Sequence, residues 1–567
     1  MKLGKEQILG LVGCAFLIGF ADGGIAQMSR HGGGDGMGGM GPGPGEGGST
    51  QTYDTTFTFL HFSGSGNCRM CHNGLVDENG TDVSIEKQWS STAMAHAGRD
   101  PIWRAKVSSE LARNPQLADI INKKCSRCHN PMANTEADYN GDAPSILTDL
   151  RDPANEYYDA AADGVSCTLC HQISDSTDLG TTAGFSGHYS IDTYANPVDR
   201  LIYGPYTNVF AEPMRNNVSY SINYSPHINE SKLCATCHNL YTPYVDEAGN
   251  VISTPETEFA EQMSYSEWLA SDYTNTRSCQ DCHMPRTNGV VMASRPMWLN
   301  TLRDDFATHK LIGGNVLLLD ILQNNQAELD ANVADIPQSM LETKDMLRSA
   351  AGIELAENSL AGGTLAFTLR VNSYTGHKLP TGIPLRRIIL HVKVTDMRGR
   401  TIFESGRINS GGSVAGLDSD LDSTTYEPHY DLITSQDQVQ AYEAIMQNDL
   451  GEVTYTLLRA GGMLKDNRLL PPGFDKNTVP EDIGVAGAAS DDNDFIGGGD
   501  EISFRIPVGK GSKYTVQAEL VYQTLSSAFL QDLKKNSTQE LNDLAAMYET
   551  SSAKAVIMTG KTFNITQ

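Results

Sequence analysis

The spacing of apolar and polar positions changes several times along this chain. Lys2 and Lys5 precede an apolar run from Ile8 to Phe20, and the small residues Gly24-Ile25-Ala26 follow. That order predicts a secretory leader over residues 1–26, because the run is shorter than the roughly 20 residues of a membrane span. Leu11-Val12-Gly13-Cys14 also resembles a lipoprotein box that would lipidate Cys14, a competing reading. Residues 27–54 are dominated by glycine and cannot offset chain entropy by burial, so they read as a flexible tether.

From about residue 55 to 312, brief helical patterns alternate with short polar stretches. Asp100-Pro101 followed by Ile102, Val107 and Leu111 has an N-cap, an N1 proline and one apolar face. This helix, or its continuation through Leu117 and Ile121, runs into Cys125. Residues 313–350 read as a helical connector, with Leu317, Leu318, Ile321, Leu322 and Leu329 at helical spacing between Asn315 and Asn332. After Ala351 the period becomes two, at Leu365, Phe367, Leu369 and Val371, then at Leu390, Val392 and Val394. Asp396-Met-Arg-Gly399 predicts a hairpin into Thr401-Ile-Phe403. Alternation resumes at Ile502, Phe504 and Ile506 and at Val516 to Tyr522, so residues 351–567 read as a β-sandwich. A helical insertion over Leu525–Glu549 precedes a last strand near Val556–Phe563.

Composition changes this picture in two ways. The 567 residues exceed one ordinary core, and a hydrophobic content of 39% leaves part of the interior to be filled by something other than side chains. Asp and Glu number 69 against 42 Lys and Arg, a net charge of -27, which excludes the basic footprint of a nucleic-acid binder.

Of the 11 cysteines, all but Cys14 fall into one pattern: Cys68-Arg-Met-Cys71-His72, Cys125-Ser-Arg-Cys128-His129, Cys167-Thr-Leu-Cys170-His171, Cys234-Ala-Thr-Cys237-His238 and Cys279-Gln-Asp-Cys282-His283. This is the c-type haem attachment pattern. Two thiols reach the vinyl groups on one porphyrin edge, and the next imidazole turns under the ring to bind iron. Zinc would need the pairs combined into four-ligand sites, and five pairs do not divide evenly. Disulfides suit an exported chain, but five self-closing pairs would be redox catalysts, and no thioredoxin-like pattern surrounds them. The reading is five covalent haems, with His72, His129, His171, His238 and His283 as proximal ligands.

A second axial ligand favours electron carriage, whereas an open position admits substrate. Eight histidines remain after the tether. His309, His227, His188, His96 and His377 are the candidate distal ligands, with His61 in reserve. His391 reads as the polar face of a strand and His429 as part of an acidic loop. Met94 and Met132 are alternative axial ligands, though most methionines pack. Asp418, Asp420 and Asp422, near Glu427 and Asp431, alternate as calcium ligands do, without the Gly and Glu of a full EF-hand loop. Asp491–Asp494 beside Gly497 reads as a turn.

These motifs resemble exported multihaem c-type cytochromes of the class related to hydroxylamine oxidoreductase and its tetrahaem electron acceptor. The likeness includes Phe62–Asn67, Asp163-Gly-Val-Ser-Cys167, Leu233–Pro243, Cys279–Pro285, His309 with Gly313-Gly314-Asn315, and Gly376-His-Lys-Leu-Pro-Thr-Gly382. The resemblance implies a multidomain chain, a mainly α-helical and irregular pentahaem domain followed by an immunoglobulin-like β-sandwich without haem. It also implies distal roles for His309 and His377, and respiratory electron transfer at the periplasm or cell exterior, towards metals or other acceptors. No Cys-x-x-Cys-Lys variant of the catalytic members occurs. An electron carrier is therefore the first reading. A reductase of small nitrogen or sulfur compounds with one open haem is the second, and a subunit of an extracellular assembly, homo-oligomer or filament, the third. Redox proteins, other cytochromes among them, metal ions and mineral surfaces are the expected partners.

Overall fold

Each Cys-x-x-Cys-His segment lies on or ends a short helix: Ser65–His72, Ala118–His129, Cys167–Cys170, Lys232–His238 and Cys279–His283. The structure is a computed structural model and describes residues 52–331, 334–509 and 511–567. The leader, Cys14 and nearly all of the expected tether lie outside the described residues. No helix among the described residues is long and apolar enough to cross a membrane.

Asp100 caps the helix Pro101–Arg113, accepting from the backbone of Ile102 and Trp103. That helix does not continue into Cys125. It stops before Asn114-Pro115, where the proline ring cannot follow a helical residue, and the helix Ala118–His129 starts afresh. The connector also divides, into Val316–Asn324 and Ile336–Ala350.

The second half forms two sheets. One runs Leu432–Ile433, Gly499–Pro507, Thr364–Ser373 and Ala351–Ala361; the other runs Val453–Thr454, Ala441–Gln447, Arg387–Asp396, Lys513–Gln523 and Val556–Thr566. Thr401–Ser405 joins the second sheet through the expected hairpin, and Gly462–Asp466 pairs with Ala441–Gln447. Inward residues of both sheets share one apolar core. Phe367 stacks on Phe504 within the first sheet at 4.8 Å, and Phe403 of the second meets Phe504 edge-on at 6.3 Å. The helical insertion is two helices, Ser527–Leu533 and Gln539–Thr550, which bury Phe529, Leu541 and Leu544 against Ile102, Ala105 and the connector.

Buried charges reinforce that seam. Lys106 pairs with Glu110 at 2.8 Å and donates to the Tyr455 carbonyl at 2.7 Å, while Arg113 reaches Asp532 at 2.9 Å. The part of the chain that carries the motifs and the strand-rich part belong to a single unit from residue 50 onward.

Candidate functional site

The ten motif cysteines form no disulfides, and those of different motifs adjoin one another. Cys68 meets Cys167, Cys128 meets Cys237, and Cys234 meets Cys279, while Cys170 lies beside Cys237 and Cys234. Motif histidines repeat these neighbourhoods: His72 beside His171, His129 beside His238, and His238 beside His283. Asp163 helps fix the first contact, accepting from the Ser65 backbone at 2.9 Å and hydroxyl at 2.7 Å. The five attachment points thus form one array in which the fourth motif meets the second and fifth and has the Cys170 thiol of the third nearby.

Four of the motif imidazoles bond protein through Nδ1. His72 donates to the Met292 carbonyl at 2.8 Å, His129 to Ala97 at 3.3 Å, His171 to Tyr203 at 2.7 Å, and His283 to Ile312. This second contact fixes the ring and leaves Nε2 for a metal. Trp103 stacks on the face of His129 at 4.4 Å.

Two candidate distal histidines stand across from motif histidines. The rings of His171 and His309 are 6.3 Å apart with planes 20° from parallel; those of His283 and His377 are 6.2 Å apart at 13°. Two imidazoles on one metal atom, each with a bond of about 2.0–2.1 Å, place their ring centres roughly 6.2–6.5 Å apart. Both pairs fit that span.

The other candidates sit differently. His96 is fully buried, with Nε2 3.1 Å from the Ser90 carbonyl and Nδ1 without a hydrogen-bond partner. His188 holds the Phe185 carbonyl through Nδ1 at 2.7 Å, and Arg127 of the second motif meets its Nε2. His227 has both nitrogens engaged, with Ser225 at 2.6 Å and the Ile173 carbonyl at 2.8 Å. His61 faces Glu136 at 3.0 Å. His391 lies between Glu404 and Glu519 on its strand, and His429 sits, buried, in an irregular segment beside Asp492 and Asp500. Met132 is a core residue whose sulfur accepts from Thr168 at 3.6 Å, and Met94 packs beside the same core.

Arg99, Arg104 and Arg386, near the array, donate to backbone carbonyls. Arg99 Nε and Arg386 Nε are buried without hydrogen bonds, Arg386 lies beside His238, and burial pushes Arg104 down to about 9. A porphyrin carrying carboxylates would supply the missing acceptors. The two groupings of possible metal ligands among the described residues, His429 with Asp492 and Asp500 and Asp431 with Asp492 and Asp494, contain no cysteine.

The loop that carries His377 is held by a buried charge quartet missed in the sequence, since its members are far apart in the chain. Lys378 Nζ is 2.7 Å from Asp466; Arg468 binds Asp466 at 2.7 Å and Glu267 at 2.8 Å. Glu267 accepts from the Lys378 backbone at 3.1 Å and the Thr381 hydroxyl at 2.7 Å. The expected calcium residues do not converge. Asp420 is bound by Arg387 at 2.7 Å and Asp422 caps its own turn at Thr424; of the set, only Asp431 joins a carboxylate group.

Burial sets the acid sensitivity of this region. It pushes His129 and His238 down to about 4 and His309 to about 3, with neighbouring imidazoles adding to the shift. Below about pH 6.5 the unfolded histidines take up protons that the folded ones refuse. Burial has the opposite sign at carboxyls: it pushes Asp163 up to about 6 and Glu261 up to about 7, so as pH falls the histidines' contribution to stability is lost while these carboxyls' contribution grows.

The chain matches no protein-family model and no curated protein sequence. Its fold is similar to the crystal structure of a penta-heme cytochrome c552 from Thermochromatium tepidum, with a TM-score of 0.50 and 15% identity over 89% of this chain and 100% of that one.

Proposed function

We propose that this protein is an exported multihaem c-type cytochrome that carries single electrons through five covalently attached haems. The observation that carries the reading is the contiguity of the five Cys-x-x-Cys-His helices: their cysteines neighbour one another in four pairings, and the motif histidines repeat three of them. The fold likeness to a pentahaem cytochrome supports it. When bound, c-type haem supplies a one-electron ferric/ferrous couple. The chain's own residues do the rest. The cysteines anchor each ring edge, the motif histidines hold iron from one side, and the carbonyls of Met292, Ala97, Tyr203 and Ile312 orient those imidazoles.

In this reading His309 and His377 are the distal ligands of the third and fifth haems, and His96, with its unsatisfied nitrogen, serves another. Residues 55–312 form the haem domain, 313–350 the connector and 351–567 an immunoglobulin-like sandwich that presents His377. The order of contacts makes the fourth haem a junction: electrons pass along first, third, fourth and fifth, with the second as a branch. Redox proteins, cytochromes among them, metal ions or minerals are the partners of such a chain in the periplasm or at the cell exterior.

A second reading, a reductase with one open haem, is favoured by a single observation. His129 has Trp103 stacked on its face and, like His72 and His238, no second imidazole at the metal-sharing span among the described residues. Intact-mass analysis of the exported protein should find five haems per chain, and one fewer in Cys167→Ser/Cys170→Ser. A haem-free mass, or bound zinc in its place, would reject the electron-carrier and reductase readings together.

A further inference from the structure

A cluster far from the haem motifs has no part in the account above. Asp500, at the start of the strand Gly499–Pro507, is 1% exposed. Its Oδ2 accepts from the Tyr442 hydroxyl at 2.8 Å and the Gln440 amide at 3.3 Å, but its Oδ1 has no donor. That oxygen points to His429 Nε2 at 3.8 Å, which is also 3.0 Å from Asp492 Oδ2. Asp492 belongs in turn to a second group, with Asp431 and Asp494, whose carboxylate oxygens lie within 4.8 Å of one another. The one ion-pair partner of these four carboxylates among the described residues is His429. A buried carboxylate oxygen without a hydrogen-bond donor is costly, and the neighbouring Asp492 and Asp494 carboxylates add repulsion.

The tautomer of His429 decides what cation suits the cluster. Its Nδ1 receives amide hydrogens from Gln440 at 2.9 Å and Asn467 at 3.0 Å. Neither amide can turn over, since Gln440 Oε1 accepts from the Tyr430 backbone at 2.9 Å and Asn467 Oδ1 from the Glu443 backbone at 3.0 Å. The ring proton therefore sits on Nε2 and is donated to Asp492. An imidazole in that state offers no lone pair to a metal. It orients a carboxylate from outside, and every donor left is oxygen, as hard cations require.

We propose that Asp431, Asp492 and Asp494 bind a calcium ion, with His429 as a positioning residue for Asp492 and the buried Asp500 carboxylate adding negative charge beside Asp492. The ion would tie the long segment after Asp466 to the edge of the four-stranded sheet. That same segment holds Leu469, hydrogen-bonded to Leu379, and Pro472, which accepts from Asp272 at 2.8 Å. The site therefore braces the seam between the sandwich and the motif-bearing part, whatever the haems do.

The haem-loaded protein, stripped with a chelator, is titrated with Ca²⁺ by calorimetry and by thermal melting. One Ca²⁺ per chain should bind at this site, with a Kd between about 10⁻⁶ and 10⁻³ M, and raise the Tm. Asp492→Asn should abolish that response yet melt no lower than the calcium-free wild type, because it relieves repulsion; lost binding and lost folding are thereby separated. His429→Gln keeps a donor towards Asp492 and should retain binding within about threefold. The proposal is overturned by no saturable binding up to about 10 mM Ca²⁺, by binding that survives Asp492→Asn, or by Zn²⁺ binding in preference and losing its site in His429→Gln.

Discussion

Replacing His377 by alanine should turn one haem in five from low to high spin in the ferric protein and let that haem bind carbon monoxide once reduced. The expectation follows from the 6.2 Å spacing and near-parallel planes of His377 and His283, which match two imidazoles on one iron. His309→Ala should do the same at the third motif, through its 6.3 Å spacing from His171. The double variant should convert two haems in five, since the pairs share no residue. Magnetic circular dichroism of the ferric proteins counts the spin states. Unchanged spectra in both single variants would remove the distal roles while leaving covalent attachment intact.

Lys378→Met should destabilise the protein by about 3–5 kcal/mol and also loosen the fifth haem's distal side. Lys378 is fully buried, and its removal leaves Asp466 and Glu267 facing Arg468 alone. Pairing it with Asp466→Leu restores neutrality and should recover part of the loss, which a double-mutant cycle by denaturant unfolding would measure. Because Lys378 adjoins His377, the single variant should also show a fraction of high-spin haem. A stability loss with no spectroscopic change would make the quartet structural only. Burial pushes the Asp466 carboxyl up, but Arg468 and Lys378 outweigh it and hold the group well below the usual carboxylate range. A depressed carboxyl contributes stability above its unfolded pKa and loses it only as pH falls through the lower folded value. The quartet therefore survives mild acid.

The elements legible in the sequence were those whose pattern is itself the physical cause. Alternation at Leu365–Val371 and Val516–Tyr522 marks strands with one face in the core, and both are strands. Ala441–Gln447 escaped because it is buried along nearly its whole length, so apolar and small residues replace alternation. The break at Pro115 was available from the proline alone, but the apolar spacing on either side masked it. Motif spacing announces the haem chemistry, because two thiols and an imidazole must meet one porphyrin edge. Which motif lies beside which is long-range packing that spacing does not encode. Glu267 and Lys378 are likewise distant in sequence and meet only once the strand-rich part packs against the motif-bearing part.

The most direct test of an electron carrier is the wild-type protein itself. Ferric magnetic circular dichroism, followed by reduction under carbon monoxide, reports every axial position in one sample. Low-spin signals from all five haems with no carbon monoxide adduct are expected. A high-spin haem that binds carbon monoxide in the unmodified protein would contradict the carrier and establish an open, substrate-binding iron.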